Sequence, residues 1–244
     1  CHGAQYRGKM CGSMGAAGCW SLQGSKAVSA GEGGVLATDD VEVFERACLV
    51  GQVNRIKGID LVTQRYAEYQ PLGLGMKFRA HPLGIGLALV QLKKLPALNA
   101  RRRAYIEEVE AGLTEIPGLR PVAVYDGVER GGFYGFPVIH EPDNMNGTPT
   151  EVFVDALQRN GLKVETRPYP NLHDLPLFAR GFDVFTRNRG PLSPSQGYKG
   201  YRPGDFPKAE LGAARTIFLP RLSEPTPEAA GVVLGILDRV AKSF

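Results

Sequence analysis

The chain reads as an α/β protein with a second, smaller domain, and three features carry that reading. Short apolar stretches flank a glycine cluster between residues 19 and 38, apolar positions recur at three and four through residues 83–113, and a last strand at 216–219 precedes an amphipathic helix. With 244 residues, 43% of them apolar and 22% charged, the chain can bury one large core or two smaller ones. That composition excludes a disordered polypeptide.

Cys19 to Gln23 and Val35 to Thr38 read as strands, because Trp20, Leu22, Val35 and Leu36 suit a half-buried sheet and Gly31-Glu32-Gly33-Gly34 supplies a sharp turn. Asp39-Asp40 offers an N-cap for a helix through Val43, Phe44 and Ala47. Residues 51–76, rich in Gly and polar side chains, predict a long loop of the kind that carries function. Helical character resumes after Pro82, with Leu83, Leu87, Val90 and Leu95 on one face. Pro96 is expected to bend or break that helix, since it has no N–H to donate and its ring clashes with the preceding turn. A second pattern follows through Leu98, Arg102, Tyr105, Ile106, Val109 and Leu113, so the boundary is placed here, giving domains 1–95 and 96–244.

Beyond Pro117-Gly118, Pro121 to Tyr125 and the aromatic-rich Gly132 to Ile139 read as strands. Pro149-Thr150-Glu151 opens a helix through Val152, Phe153, Ala156 and Leu157, which Asn160-Gly161 closes. A strand at Leu162 to Thr166 leads into a Pro- and Gly-rich tract, to about residue 207, expected as loops around the mouth of a site. Thr216 to Leu219 is the last strand. Thr226-Pro227-Glu228 starts the final helix, with Val232, Val233, Ile236, Leu237 and Val240 on its apolar face.

Several function classes drop out. The most apolar run, Leu83 to Leu92, is too short for a membrane span and is interrupted by Gly84 and Gly86. The net charge of +4 comes from 29 basic against 25 acidic residues, and the tight basic run Arg101-Arg102-Arg103 lies in the helical pattern, where it reads as a solvated face. No nucleic-acid partner is expected, although a slightly basic surface helps to attract an anionic substrate. Cys1, His2, Cys11 and Cys19 lack the close pairing of structural zinc ligands, and no metal is expected. Without paired spacing or a leader-like segment, Cys1, Cys11, Cys19 and Cys48 read as reduced thiols of a cytoplasmic protein.

Lys26 is the candidate reactive group. A lysine in a short loop beside a sheet is either an ordinary solvated side chain or a partly desolvated amine that attacks aldehydes. Gly24-Ser25-Lys26 lacks the spacing of a phosphate-binding P-loop.

Ser21-Leu22-Gln23-Gly24-Ser25-Lys26, followed by Gly31-Glu32-Gly33-Gly34 and Thr38-Asp39-Asp40, resembles the pyridoxal-phosphate lysine segment of the DegT/DnrJ/EryC1/StrS aminotransferases, which aminate keto sugars and ketocyclitols. Further matches stand at His2-Gly3-Ala4, Tyr6 and Gly8, at Phe78-Arg79 with His81-Pro82-Leu83, at Asn99-Ala100-Arg101-Arg102-Arg103, and at Tyr169-Pro170 with Leu172-His173. They span nearly the whole chain in the family's order. The resemblance implies a fold-type I, aspartate aminotransferase-like pyridoxal-phosphate transferase: the C-terminal part of the large domain, then the small α+β domain. It also implies that the first half of the large domain precedes Cys1, with the aspartate for the pyridine nitrogen, the phosphate-cradling loop and the ring-stacking aromatic.

On that resemblance Lys26 is the catalytic Schiff-base lysine and, with Ser21 and Lys77, binds pyridoxal 5'-phosphate. At Lys77 many members carry an asparagine that reaches the cofactor phosphate of the neighbouring subunit, so a homodimer with the active site at its interface is implied. Arg79 and His173 fall at substrate-facing positions; each residue taken alone reads equally as a structural partner. The implied reaction moves an amino group from L-glutamate or L-glutamine to a keto sugar nucleotide or ketocyclitol, and Gln23-Gly24-Ser25 and His81-Pro82 lean toward the cyclitol and antibiotic-sugar branch. A sugar dehydratase of the same fold is the enzymatic alternative, but those members replace the lysine that is present here. A non-catalytic remnant or partner is the other.

Overall fold

The computed structural model describes residues 2–51, 61–166, 169–183 and 185–244. Part of the long loop expected at 51–76 therefore lies outside the described residues. The chain forms two compact units, one of Cys1–Ala104, Val124–Tyr134 and Ser223–Pro225, the other of Tyr105–Ala123, Gly135–Leu222 and Thr226–Phe244.

The first unit opens with a hairpin of β1 (Gln5–Tyr6) and β2 (Lys9–Met10). Arg7 and Gly8 both adopt positive φ, 49° and 76°, the left-handed pair that a two-residue turn needs to match strand twist. β3 (Gly18–Ser21) and β4 (Gly34–Ala37) pair antiparallel, with Trp20 opposite Val35 and Ser21 opposite Gly34, close to the expected strands. The expected cap of α1 (Val41–Gly51) is formed by Asp40, whose carboxylate accepts the Glu42 and Val43 N–H groups at 2.8 and 3.1 Å. Within α1 the buried Glu45 carboxylate accepts from the Thr63 N–H and hydroxyl, tying the segment after the undescribed stretch to this helix.

α2 (Pro82–Leu113) is one helix: Pro96, expected to bend or break it, does not break it. Pro96 deprives the Leu92 carbonyl of its helical donor, but Leu92 is exposed, where water can take that donor's place. Burial of Leu95, Leu98, Tyr105, Ile106, Val109 and Leu113 on the other side holds the helix through the proline. A second finding concerns Leu83, Leu87 and Val90: the sequence pattern puts them on one face with Leu95, yet they are exposed, Leu83 to 79%. The face that is buried runs through Ala88 and Leu95 instead. The arginine run is also less solvated than expected, since Arg103 pairs with Glu129 at 2.7 Å, Arg101 approaches Glu224 at 3.6 Å and Arg102 donates to the Ser223 carbonyl. Glu129 belongs to β6 (Val128–Glu129), which completes the small sheet in the order β2-β1-β6. No helix among the described residues is long and apolar enough to cross a membrane.

In the second unit β5 (Leu119–Pro121), β7 (Pro137–His140), β8 (Glu165–Thr166) and β9 (Thr216–Phe218) form an antiparallel sheet in the order β5-β7-β9-β8. The aromatic strand expected from Gly132 begins only at Pro137, because Gly132 and Phe133, at φ 71° and 40°, turn the chain through a corner first. α3 (Thr150–Arg159) and α6 (Ala229–Ala241) pack on one another, and Phe153, Leu157, Ile217 and Leu237 are fully buried in this core. Gly161, at φ 85°, ends α3 as its sequence requires. The tract read as loops contains α4 (Pro176–Arg180), and α5 (Pro207–Arg215) follows it.

Candidate active site around Lys26

Lys26 stands on a loop whose backbone is closed on itself. After β3, Leu22 donates to the Gly33 carbonyl at 2.9 Å, and its own carbonyl accepts from Ala30 at 2.7 Å. Leu22 and Val28 are buried with Ala88 and Leu95 of α2, so apolar anchors hold the loop on either side of the lysine. The Lys26 N–H closes a turn onto the Gln23 carbonyl at 2.9 Å, and the Gln23 side chain accepts from the Ser25 N–H and hydroxyl at 2.9 and 2.6 Å.

The lysine side chain is half-buried, and its Nζ lies 3.7 Å from the centroid of the Tyr134 ring. Ring quadrupole and ammonium attract in that geometry. Among the described residues Lys26 forms no ion pair with a carboxylate. Tyr134 reaches this position through the corner at Gly131-Gly132-Phe133. A Cβ on Gly131 would lie 2.5 Å from the Gly3 backbone, so only glycine lets the corner press against the start of the chain.

That start is itself braced. His2 Nδ1 accepts from the Val28 N–H at 3.2 Å, and the ring interacts with the Ser21 backbone. Burial pushes the His2 pKa below its usual value, with the Lys26 charge acting in the same direction. Asn99, buried on α2, donates to the His2 carbonyl at 3.0 Å and accepts from the Gly132 N–H at 3.3 Å. Beside this network lies an apolar cavity of about 390 Å³, lined by His2, Trp20, Leu22, Val28, Ile85 and Leu92 among others.

The other residues singled out by sequence divide between the units. Ser21 shares the loop with Lys26, and its exposed hydroxyl is approached by the Gln23 N–H at 3.4 Å. Lys77 and Arg79 are exposed on the segment before α2, and no hydrogen bond or ion pair among the described residues joins them to the Lys26 loop. His173, in the second unit, is buried; its Nε2 lies 3.0 Å from a Glu210 oxygen that also accepts from the Gly204 N–H. Its ring packs on Phe206 at 4.9 Å between centroids. Tyr134, Asn99 and the bracing role of His2 were not assigned from sequence. The paired glycines before an aromatic at 131–134 are the local signal for Tyr134; nothing local links Asn99 to Lys26.

The donor chemistry of the loop fits an aldehyde-bearing phosphate cofactor. A primary amine stands free of a carboxylate partner among the described residues, on a fixed backbone, and the exposed hydroxyl of Ser21 opens the same loop. An amine is the group an aldehyde needs, and hydroxyls donate to phosphate oxygens.

The model of the DegT/DnrJ/EryC1/StrS aminotransferase family matches residues 1–238. The chain is 32% identical over 178 residues to the L-glutamine:scyllo-inosose aminotransferase of Streptomyces griseus, covering 72% of this chain and 42% of that protein. It is 30% identical over 178 residues to a putative L-glutamine:3-amino-2,3-dideoxy-scyllo-inosose aminotransferase of Micromonospora echinospora, covering 72% and 41%. Among solved structures it superposes on DesV of S. venezuelae with a TM-score of 0.72 at 21% identity, covering 99% of this chain and 56% of that one. The chain thus spans less than half the length of these curated relatives.

Proposed function

The chain belongs to the DegT/DnrJ/EryC1/StrS aminotransferase family and has the fold-type I architecture expected of it, and we propose that it is the lysine-bearing part of a pyridoxal-phosphate aminotransferase. The whole protein moves an amino group from L-glutamine or L-glutamate to a ketocyclitol or keto sugar nucleotide. The observation that carries this reading is the Lys26 amine, held on a backbone-locked loop against the Tyr134 ring with no carboxylate partner among the described residues. The names of the relatives favour L-glutamine as donor and a ketocyclitol as acceptor.

Pyridoxal phosphate, when bound, supplies the electron sink that makes carbanion chemistry at an amino-acid α-carbon accessible. Lys26 Nζ would hold the cofactor through its aldehyde carbon, and the same nitrogen, when free, would carry the proton between the donor's α-carbon and that former aldehyde carbon, which lie on either side of the amino nitrogen. The locked loop keeps that amine within reach through both events, because its backbone amides are already engaged. Ser21 donates to a phosphate oxygen, and Lys77 adds a point charge there. Arg79 faces the anionic substrate. His173 acts on the substrate side by fixing the loops that Glu210 joins to it. A cytoplasmic homodimer with the active site at the subunit interface is the assembly this reading takes.

The same-fold dehydratase reading is disfavoured by the lysine at position 26, and the non-catalytic reading by the intact geometry around it. The test is an amine-donor and acceptor screen of the full-length protein. Transfer from glutamine to a ketocyclitol or a keto sugar nucleotide is the expected result; no transfer to any carbonyl acceptor overturns the reading.

A further inference from the structure

Two residues bracket the Lys26 loop, and a third ties them together. Behind it, one imidazole joins both ends of the lysine loop, since His2 accepts the Val28 N–H and interacts with the Ser21 backbone. In front of it stands the Tyr134 ring. One buried side chain links the two: Asn99 holds the His2 carbonyl with its amide nitrogen and the Gly132 N–H with its oxygen. The fit is close, for a Cβ on Gly3 would lie 2.6 Å from the Asn99 amide nitrogen. An acceptor at Nδ1 places the single ring proton of the neutral imidazole on Nε2, the tautomer able to donate to the Ser21 carbonyl.

We propose that His2, held in place by Asn99, is a positioning residue for Lys26: its neutral ring bridges the Ser21 and Val28 ends of the loop and thereby sets where the amine meets the cofactor aldehyde. This rests on the reading of Lys26 as the cofactor-bonding lysine. The brace acts by removing backbone freedom from a loop whose tip must present the same atom before and after the lysine is released. Glutamine reproduces the pair of contacts, with an oxygen to accept from Val28 and a nitrogen to donate to Ser21, whereas leucine fills the space and makes neither.

The test compares full-length wild type, His2→Gln and His2→Leu, with three readouts: amide exchange of the peptide spanning residues 21–30 in cofactor-free protein, the rate at which borohydride fixes pyridoxal phosphate on Lys26, and the unfolding temperature. In His2→Leu, exchange at Val28 is expected to rise and fixation to slow, each by about tenfold for a lost hydrogen bond. His2→Gln should stay within roughly twofold of wild type in both, because its hydrogen bonds replace the lost ones. Fixation in His2→Leu at the wild-type rate overturns the brace, as does slowing in both variants that merely follows a lower unfolding temperature. Wild type that gives no adduct on Lys26 overturns the underlying reading of Lys26, and the brace with it; a wild-type adduct that is indifferent to His2 overturns the brace alone.

Discussion

The amine of Lys26 lies 3.7 Å from the centre of the Tyr134 ring, although the two residues come from segments separated by all of α1 and α2. The contact is specific because both backbones are fixed, the lysine turn by the Gln23 carbonyl and the tyrosine by the Gly132 N–H on Asn99. Each end can therefore be perturbed separately.

Lys26→Ala in the full-length protein should abolish both borohydride-stable attachment of the cofactor and amino transfer. Cofactor held through phosphate contacts can remain, since those contacts use hydroxyls and not the amine. Lys26→Arg should fail likewise, because a guanidinium stays charged and cannot condense with an aldehyde. Peptide mapping of the reduced adduct checks this, and recovery of the cofactor on Lys77 would transfer the catalytic role there.

Tyr134→Phe keeps the ring face against Lys26, whereas Tyr134→Leu removes it. The ring–ammonium attraction is about 0.5 to 2 kcal/mol, so the leucine variant should slow cofactor fixation several-fold while phenylalanine stays near wild type. Equal behaviour of the two variants would mean that the ring face contributes nothing to lysine placement.

Gly131→Ala tests the corner that delivers Tyr134. The new methyl would meet the Gly3 and Ala4 backbone at 2.5 to 2.6 Å, and backbone cannot rotate aside as a side chain can. Overpacking of this kind costs about 1–3 kcal/mol. The unfolding temperature should drop by several degrees, with cofactor fixation slowed as in Tyr134→Leu. Gly131 is not among the glycines of positive φ, so the drop belongs to the clash and not to left-handed backbone strain.

Much of the fold was legible because punctuation and periodicity are local. Asp40 caps α1, Gly161 ends α3, and the glycines at 31–34 turn β3 into β4, each by chemistry contained within a few residues. Pro96 does not break the helix because its cost is local and its compensation is not: the burial of Leu95, Leu98 and Tyr105 involves residues far along the chain. The exposed faces of Leu83, Leu87 and Val90 were invisible for the same reason, since periodicity gives a stripe but not what lies against it. In the site, the lysine loop carries its own signature of Ser, Gly and Lys, whereas the Asn99 carboxamide joins segments near residues 2 and 132 that no window reads together. The burial of His173 on Glu210 is likewise a long-range pairing, and a tract rich in Pro and Gly gave no hint of it.

The last prediction concerns acid stability of the second unit. His140 is fully buried, stacked on Phe153 at 5.0 Å, with Nδ1 3.0 Å from the Thr150 hydroxyl and with Nε2 unpartnered among the described residues. Burial lowers its pKa below the ordinary 6.5, and the Arg215 charge adds to the effect. The unfolded chain therefore binds this proton more readily than the folded one. The stabilisation is complete above the unfolded value of 6.5 and is lost as the pH falls through the lower folded value. Unfolding temperature should decline as the pH falls below about 6.5, and His140→Phe, which keeps the stack and removes the titrating ring, should flatten that decline. His2, also lowered in pKa by burial, adds a slope of the same sign, so the decline should shrink in His140→Phe without disappearing. An identical pH profile in wild type and His140→Phe would exclude His140 as its source.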